Sequence, residues 1–217
     1  MKLYPIMANI ENAQVTVIGA GEVALRKVQD LCDAGALVKV IAPEMLPEFK
    51  ALHNVLEDRL TLVEREYVSG DLAGSVLVFS ATNDIAVSKA VFEEAASEGL
   101  LINAVDDPPN CSFFVPSFRR AGDFILAVST SGASPAFAAR MCRELEDYLP
   151  ERIEEALVGL RQVRTLLKTD ADFAELDVYD RGKLLSKIAN DDALLDLLAG
   201  AVEDDTVKDF ITFMIQK

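Results

Sequence analysis

Val15-Thr16-Val17-Ile18-Gly19-Ala20-Gly21-Glu22-Val23-Ala24 runs from a β-branched strand through a two-glycine turn into the start of an amphipathic helix. It is this setting that gives the pattern G-x-G-x-x-G/A its meaning as a dinucleotide site. Gly19 makes the turn, Gly21 lets a pyrophosphate approach the backbone, and Ala24 is small enough for helix and strand to pack. The helix N-terminus adds amide donors and partial positive charge. An acidic residue about 20 positions on, at the tip of the second strand, would accept from a ribose hydroxyl. That tip reads Ile41-Ala42-Pro43-Glu44, which makes Glu44 the candidate, one step further along than usual. Its carboxylate disfavours a 2′-phosphate and so favours NAD. Arg26 and Lys27, just inside the first helix, are the features that would support NADP instead.

The chain has 217 residues, 51% hydrophobic and 26% charged, enough for a sizeable core and incompatible with disorder as the main state. Twenty-one Lys plus Arg against 36 Asp plus Glu give a net charge of −15, which repels polyphosphate and argues against a nucleic-acid partner. Cys32, Cys111 and Cys142 are odd in number and fit no zinc spacing, so they read as reduced, buried thiols. With His53 the only histidine, no His-rich metal site is expected. Met1-Lys2-Leu3-Tyr4-Pro5 opens no signal peptide, and no apolar run reaches the roughly 18 residues of a membrane span. A soluble, cytoplasmic protein without a membrane partner is the expectation.

Short apolar runs alternate with helical stretches over the first hundred residues, as in βαβ units around a parallel sheet. The expected strands are Gln14 to Gly19, Leu37 to Ala42, Leu60 to Glu64, Val76 to Ser80 and Leu100 to Ala104. Val23, Leu25, Val28, Leu31 and Cys32 form the apolar stripe of the first helix. A later helix covers Ile85 to Gly99, with Asn83 or Asp84 as its N-cap and Gly99 as its stop. After Asp107-Pro108-Pro109-Asn110 the pattern changes to a hairpin, Ser112 to Phe118 and Phe124 to Ser129 around the turn Arg120-Ala121-Gly122-Asp123. Ser134-Pro135 then opens a helix as N-cap and first-turn proline. From Pro150 the tail is acidic, with nine basic and fifteen acidic residues in the last 67, and reads as a helical bundle. The expected fold class is α/β, a Rossmann-type parallel sheet over residues 1–110, a hairpin and helix dimerisation region over 111–150, and helices over 151–217.

In a doubly wound sheet ligands sit beyond the carboxyl ends of the strands, at the switch point between the first and fourth. Ser80-Ala81-Thr82-Asn83 ends the fourth strand and Asn103-Ala104-Val105-Asp106-Asp107 the fifth, so Thr82, Asn83, Asn103 and Val105 join the cofactor candidates. Asn83 and Asp84 serve equally well as helix caps. Pro108-Pro109 bars an immediate helix and leaves Asp106 without an obvious amide partner, so a partly desolvated carboxylate there can act as general base. From Cys111 to Arg143 the arginines 119, 120, 140 and 143 face only Asp123, a local excess suited to an anionic substrate. Ordinary helix-face positions explain Arg140 and Arg143 at least as well. The loop Ser129-Thr130-Ser131-Gly132-Ala133-Ser134, running into a helix N-terminus, has the makings of an anion cradle.

Six ordered blocks make a resemblance specific. They are Tyr4-Pro5-Ile6, Gly19-Ala20-Gly21-Glu22-Val23-Ala24-Leu25-Arg26-Lys27, Ala81-Thr82-Asn83-Asp84, Asn103 to Pro108, Ser112-Phe113-Phe114-Val115-Pro116, and Ala127 to Pro135. Over about residues 1–150 the chain resembles the precorrin-2 dehydrogenases, some of which are also sirohydrochlorin ferrochelatases, and the N-terminal module of siroheme synthases. The resemblance implies a homodimer, NAD as cofactor, and precorrin-2 and sirohydrochlorin, both anionic tetrapyrroles, as substrate and product. It makes Asp106 the catalytic acid/base. It carries cofactor contacts to Glu22, Val23, Pro43 and Glu44, and substrate contacts to Ser129, Thr130 and Ser134, with Arg119 or Arg120 for the carboxylates. Ala20 stands where the family usually has glycine, as does Ser131. The methyltransferase domain of the long synthases is not expected in 217 residues. Insertion of Fe2+ or Co2+ is left open, with no resident metal ligands. The rival readings are a non-catalytic NAD(H)-binding redox sensor and a structural dimer with a degenerate nucleotide pocket.

Overall fold

The run Gln14–Ile18 forms β1, the central strand of a five-stranded parallel sheet, in a computed structural model that describes residues 2–216. Met1, the first residue of the N-terminal reading, and Lys217 lie outside the described residues. The strand order is β3-β2-β1-β4-β5, with β2 Leu37–Ala42, β3 Leu60–Glu64, β4 Leu77–Ser80 and β5 Leu101–Ala104. Helices α1 Glu22–Asp33, α2 Pro47–Val55 and α3 Ile85–Glu98 connect them. Period-two alternation sends Val15, Val17, Val38, Val40, Leu77 and Phe79 into one core with α1 and α2. Ile18, Ile41, Val78 and Ile102 enter a second core with Val91 and Ala95 of α3. A sheet buried on both faces explains why its strands are runs of Val, Ile and Leu.

Two strand ends and the stripe of one helix differ from the sequence reading, each for a local reason. Gly19 leaves β1 because its φ is +103°. Leu100 is bonded back to the Ala95 carbonyl, closing the α3 cap around Gly99 at φ +68°, so it belongs to the helix end. The stripe of α1 runs through Ala24, Val28, Leu31 and Cys32, while Val23 is exposed in the first turn.

From β3 to β4 the chain crosses over without a helix, and a carboxylate network holds the loop in place. Asp71 takes paired bonds of 2.7 Å from Arg65 and one of 2.9 Å from the Val68 amide, and its carbonyl accepts from Lys39 of β2 at 2.6 Å. Glu94 of α3 accepts from the Gly70 and Leu72 amides at 2.9 and 3.0 Å and from the Tyr67 hydroxyl.

The chain divides into two compact units, up to Val115 and from Pro116. In the second, β6 Ser117–Ala121 and β7 Phe124–Val128 form an antiparallel hairpin. Its turn is tighter than expected: Ala121 pairs with Phe124, leaving Gly122-Asp123 as a two-residue loop with Gly122 at φ +54°. The stretch 112–116 is not part of β6, because Ser112 and Phe113 bond to Ile102 on the outer edge of β5 and Pro116 interrupts the run. Ser134 caps α4 Pro135–Glu146 through the Phe137 amide, as its sequence promised. Pro150 falls in the break before α5 Ile153–Thr169, which packs with α6 Val178–Ala189, α7 Asp192–Glu203 and α8 Val207–Gln216 around Val163, Leu167, Ile188, Leu198 and Ile211. No helix among the described residues is long and apolar enough to cross a membrane.

The Arg65 bond holds the Asp71 carboxyl below the usual carboxylate range. Burial pushes Glu94 up, but Tyr67 and the two amides outweigh it and hold Glu94 low as well. Groups depressed in the folded state stabilise above their unfolded pKa, and that contribution is lost as pH falls through the folded value. Glu94→Gln is therefore expected to lower the urea midpoint at pH 7, by about 1–2 kcal/mol of stability. The gap to wild type closes as the pH is taken below 4. A gap that stays constant with pH shows that the carboxylate charge does not anchor the crossover.

Candidate functional site

The carboxyl ends of β1, β4 and β5 lie side by side, and the turn after β1 meets the loop after β4 in direct contact. The Ala81 amide donates to the Ile18 carbonyl at 2.7 Å, and the Gly19 amide to the Ile41 carbonyl at 2.9 Å. A Cβ on Gly19 would stand 2.3 Å from the Ala81 carbonyl oxygen, so both this contact and the positive φ demand glycine. Gly21 is different. It is the N-cap of α1 at φ −88°, a Cβ there would meet nothing within 4 Å, and nothing in the protein requires glycine. No side chain caps α1, which leaves the amides of its first turn, from Glu22, Val23 and Ala24, without an intrahelical or capping partner. An open cradle beside an uncapped helix N-terminus fits the pyrophosphate of a dinucleotide.

Around this cradle the other sequence candidates take their places. Pro43 and Glu44 are exposed in the bend that follows β2. Lys27 is half-buried, its ammonium 5.8 Å from the centroid of the Phe79 ring on β4, and Arg26 beside it is exposed. Burial lowers the pKa of Lys27. Thr82 accepts from the Asp84 amide at 3.1 Å, and Asp84, not Asn83, caps α3 through the Ala86 and Val87 amides. Asn83 is exposed and has no part in that cap. Val105 donates its amide to Ser80 at 2.9 Å, and the Asn103 amide group donates to the Phe113 carbonyl at 3.0 Å.

Asp106 stands at φ +59°, the third residue of a turn closed by the Asp107 amide on the Ala104 carbonyl at 3.3 Å. That position ordinarily takes glycine or asparagine, and a side chain there costs on the order of 1 kcal/mol. Its carboxylate is exposed, not partly desolvated as expected, and no hydrogen bond or ion pair engages it among the described residues. Pro108-Pro109 does not bar helical structure either: Pro108–Asn110 is a single 3-10 turn, since proline is tolerated at its start. Asp106 lies two strand spacings from the glycine turn, about 10 Å along the sheet edge.

In the second unit two of the four arginines are paired with acids beyond Arg143, and Asp123 is taken by a fifth. Arg119 bonds to Glu146 at 2.8 Å, Arg140 is 3.7 Å from Glu144, and Asp123 is held by Arg161. Helical periodicity and the turn bring in partners lying just beyond the stretch read from sequence. Arg119 and Arg120, adjacent in β6, point to opposite faces of the hairpin, and Arg120 is the exposed one. The hydroxyl loop is self-bonded: Thr130 accepts from the Ser134 amide at 3.0 Å and donates to the Ser134 carbonyl at 3.1 Å, and Ser129 accepts from Ser131 at 3.2 Å. Ser131 and Gly132 take φ of +53° and +86°, the positions where the loop turns back. Sequence reasoning missed Cys111, whose thiol is bonded to the end of β5; only its place two residues after the proline pair hinted at this.

A family model described as putative NAD(P)-binding matches residues 6–117. Siroheme synthase 1 of Cronobacter sakazakii is 38% identical over 164 residues, 74% of this chain and 34% of that protein. Siroheme synthase 2 of Aeromonas salmonicida is 31% identical over 198 residues, 91% of this chain and 40% of that protein. The chain thus spans about a third of the length of the curated relatives it matches. The solved structure of SirC, a precorrin-2 dehydrogenase, superposes with a TM-score of 0.78 over 99% of this chain and 100% of that one at 23% identity, which shows a common fold.

The two glycines are expected to separate structure from binding. Gly21→Ala keeps the wild-type melting temperature but weakens NADH binding, followed by nicotinamide fluorescence, at least tenfold. Gly19→Ala loses both. Wild-type affinity in Gly21→Ala shows that no dinucleotide approaches the backbone there.

Proposed function

The chain belongs to the putative NAD(P)-binding family and is related to the siroheme synthases, and from that premise we propose that it dehydrogenates precorrin-2 to sirohydrochlorin with NAD. The observation that carries this reading is the pairing, on the carboxyl edge of one sheet, of a glycine with no structural cause at an uncapped helix N-terminus and a strained, exposed carboxylate at Asp106 that has no partner among the described residues. When bound, the nicotinamide supplies the two-electron oxidant. Glu44, exposed beyond β2, favours the unphosphorylated ribose.

The chain's own residues do the rest. The first-turn amides of α1, with Glu22 and Val23, hold the dinucleotide, and Pro43, Glu44, Thr82, Asn83, Asn103 and Val105 line its course. The substrate loses one hydrogen with its electron pair to the oxidant and a second as a proton, which the Asp106 carboxylate accepts. Exposure and the left-handed turn push that carboxylate clear of the backbone toward incoming substrate. Of the residues proposed for the substrate's carboxylates, Arg120 is exposed, Ser129, Thr130 and Ser134 are bonded within their own loop, and Arg119 is committed to Glu146.

A homodimer through residues 111–150 belongs to the same reading, supported by a two-stranded sheet whose pairing is confined to β6 and β7. So does a cytoplasmic location, supported by three free thiols. Metal insertion would take its ion as substrate; among the described residues no group of three or more His, Cys, Asp or Glu is placed to hold one.

Asp106→Asn is expected to keep NADH affinity while turnover of precorrin-2, read as sirohydrochlorin absorbance, falls about a hundredfold or more. Full activity in that variant removes Asp106 from the reaction. Tight dinucleotide binding by the wild type without any turnover replaces the dehydrogenase with a redox-sensing module.

A further inference from the structure

The turn that carries Asp106 is short and strained, and it projects from β5, the edge strand of the sheet. Something must keep it in one conformation, since a non-glycine residue at φ +59° persists only where its surroundings over-determine it. The sheet itself supplies a single bond on one side, from the Val105 amide to Ser80 at 2.9 Å. The remaining bonds come from the segment just after the turn. Cys111 Sγ accepts from the Ala104 amide at 3.2 Å and donates to the Ala104 carbonyl at 3.1 Å, with the Asp107 carbonyl 3.4 Å away. Ala104 and Asp107 are the first and last residues of the Asp106 turn, so one thiol touches both of its ends. Asn103 reaches the same sulfur at 3.8 Å and fixes the backbone beyond it through Phe113 at 3.0 Å. Asn110 closes the far side on the Asp107 carboxylate at 2.7 Å.

We infer that Cys111 and Asn103 are positioning residues for Asp106: they peg both ends of its turn to the edge of the sheet and so hold the carboxylate at the angle from which it takes the substrate's proton. The catalytic consequence rests on the proposed dehydrogenation; the peg itself does not. The thiol suits the task because its single S–H lies within reach of the Ala104 and Asp107 carbonyls while the sulfur accepts from the Ala104 amide. Burial also raises its pKa, which keeps the S–H needed for donation. No other side chain is bonded to both ends of this turn among the described residues.

Two measurements on the full-length chain test this. In hydrogen exchange, Cys111→Ala is expected to speed opening at the Asp107 amide about tenfold or more while the Val105 amide keeps its protection. Unchanged exchange at Asp107 overturns the peg whether or not the protein turns over precorrin-2. In kinetics, Cys111→Ala is expected to lower kcat about tenfold, as misplacement of a reacting group does, with NADH affinity and KM little changed. Cys111→Ser recovers most of that loss. Adding Cys111→Ala to Asp106→Asn costs nothing further, because the first acts only through the second. Independent, multiplying losses overturn the positioning role, as does an equal loss of NADH binding, which marks a defect of the cofactor cleft. If Cys111→Ala does not fold, Asn110→Ala serves in its place, with an exchange effect of the same sign at Asp107 and a smaller fall in kcat; no change in either overturns the inference. A wild-type chain inert toward precorrin-2 overturns the proposed reaction separately, and Asp107 exchange then decides the peg alone.

Discussion

The close approach of Gly19 to the Ala81 carbonyl is the constraint on which the first unit depends. It brings the turn after β1 against the loop after β4, and the cleft between them is the switch point of the sheet. Because no side chain fits at position 19, the chain reverses there and α1 starts at Glu22 with its amides facing the opening. The same contact, through Ala81, sets where Thr82 and Asp84 begin α3. The core follows from it: α1 and α2 cover one face through Val28, Leu31 and Phe49, and α3 covers the other through Val91 and Ala95.

The parts of the fold legible in sequence were those decided by neighbours in the chain. β-branched runs became strands within a residue of their expected ends, Ser134 and Pro135 opened α4, and Gly99 ended α3. What stayed hidden depends on residues far apart. Nothing around Arg65 to Ser75 announces a crossover without a helix, because its anchors, Lys39 and Glu94, come from β2 and α3. The run Ser112 to Pro116 alternates well enough for a strand, yet its partner is the outer edge of β5, not β7.

The candidate site divides the same way. Gly19 and Gly21 share a motif but answer to different physics, and only the space around each tells them apart. The arginines looked unopposed in a window that stopped at Arg143. Glu144 and Glu146, one helical turn on, neutralise two of them. The prolines after Asp106 pointed to a partly desolvated carboxylate; it is exposed instead, on a left-handed turn that sequence pattern does not reveal.

The sheath that Cys111, Ser112 and Phe113 lay along β5 has a consequence for how molecules meet. An edge strand with unpaired amides and carbonyls is a template on which another chain can add, the usual start of strand-to-strand aggregation. Here the Ile102 and Ala104 groups that face outward are already taken by a thiol, a hydroxyl and two amides. Sheet growth is closed on that flank, so many copies of an acidic molecule can crowd without polymerising through the side that bears Asp106.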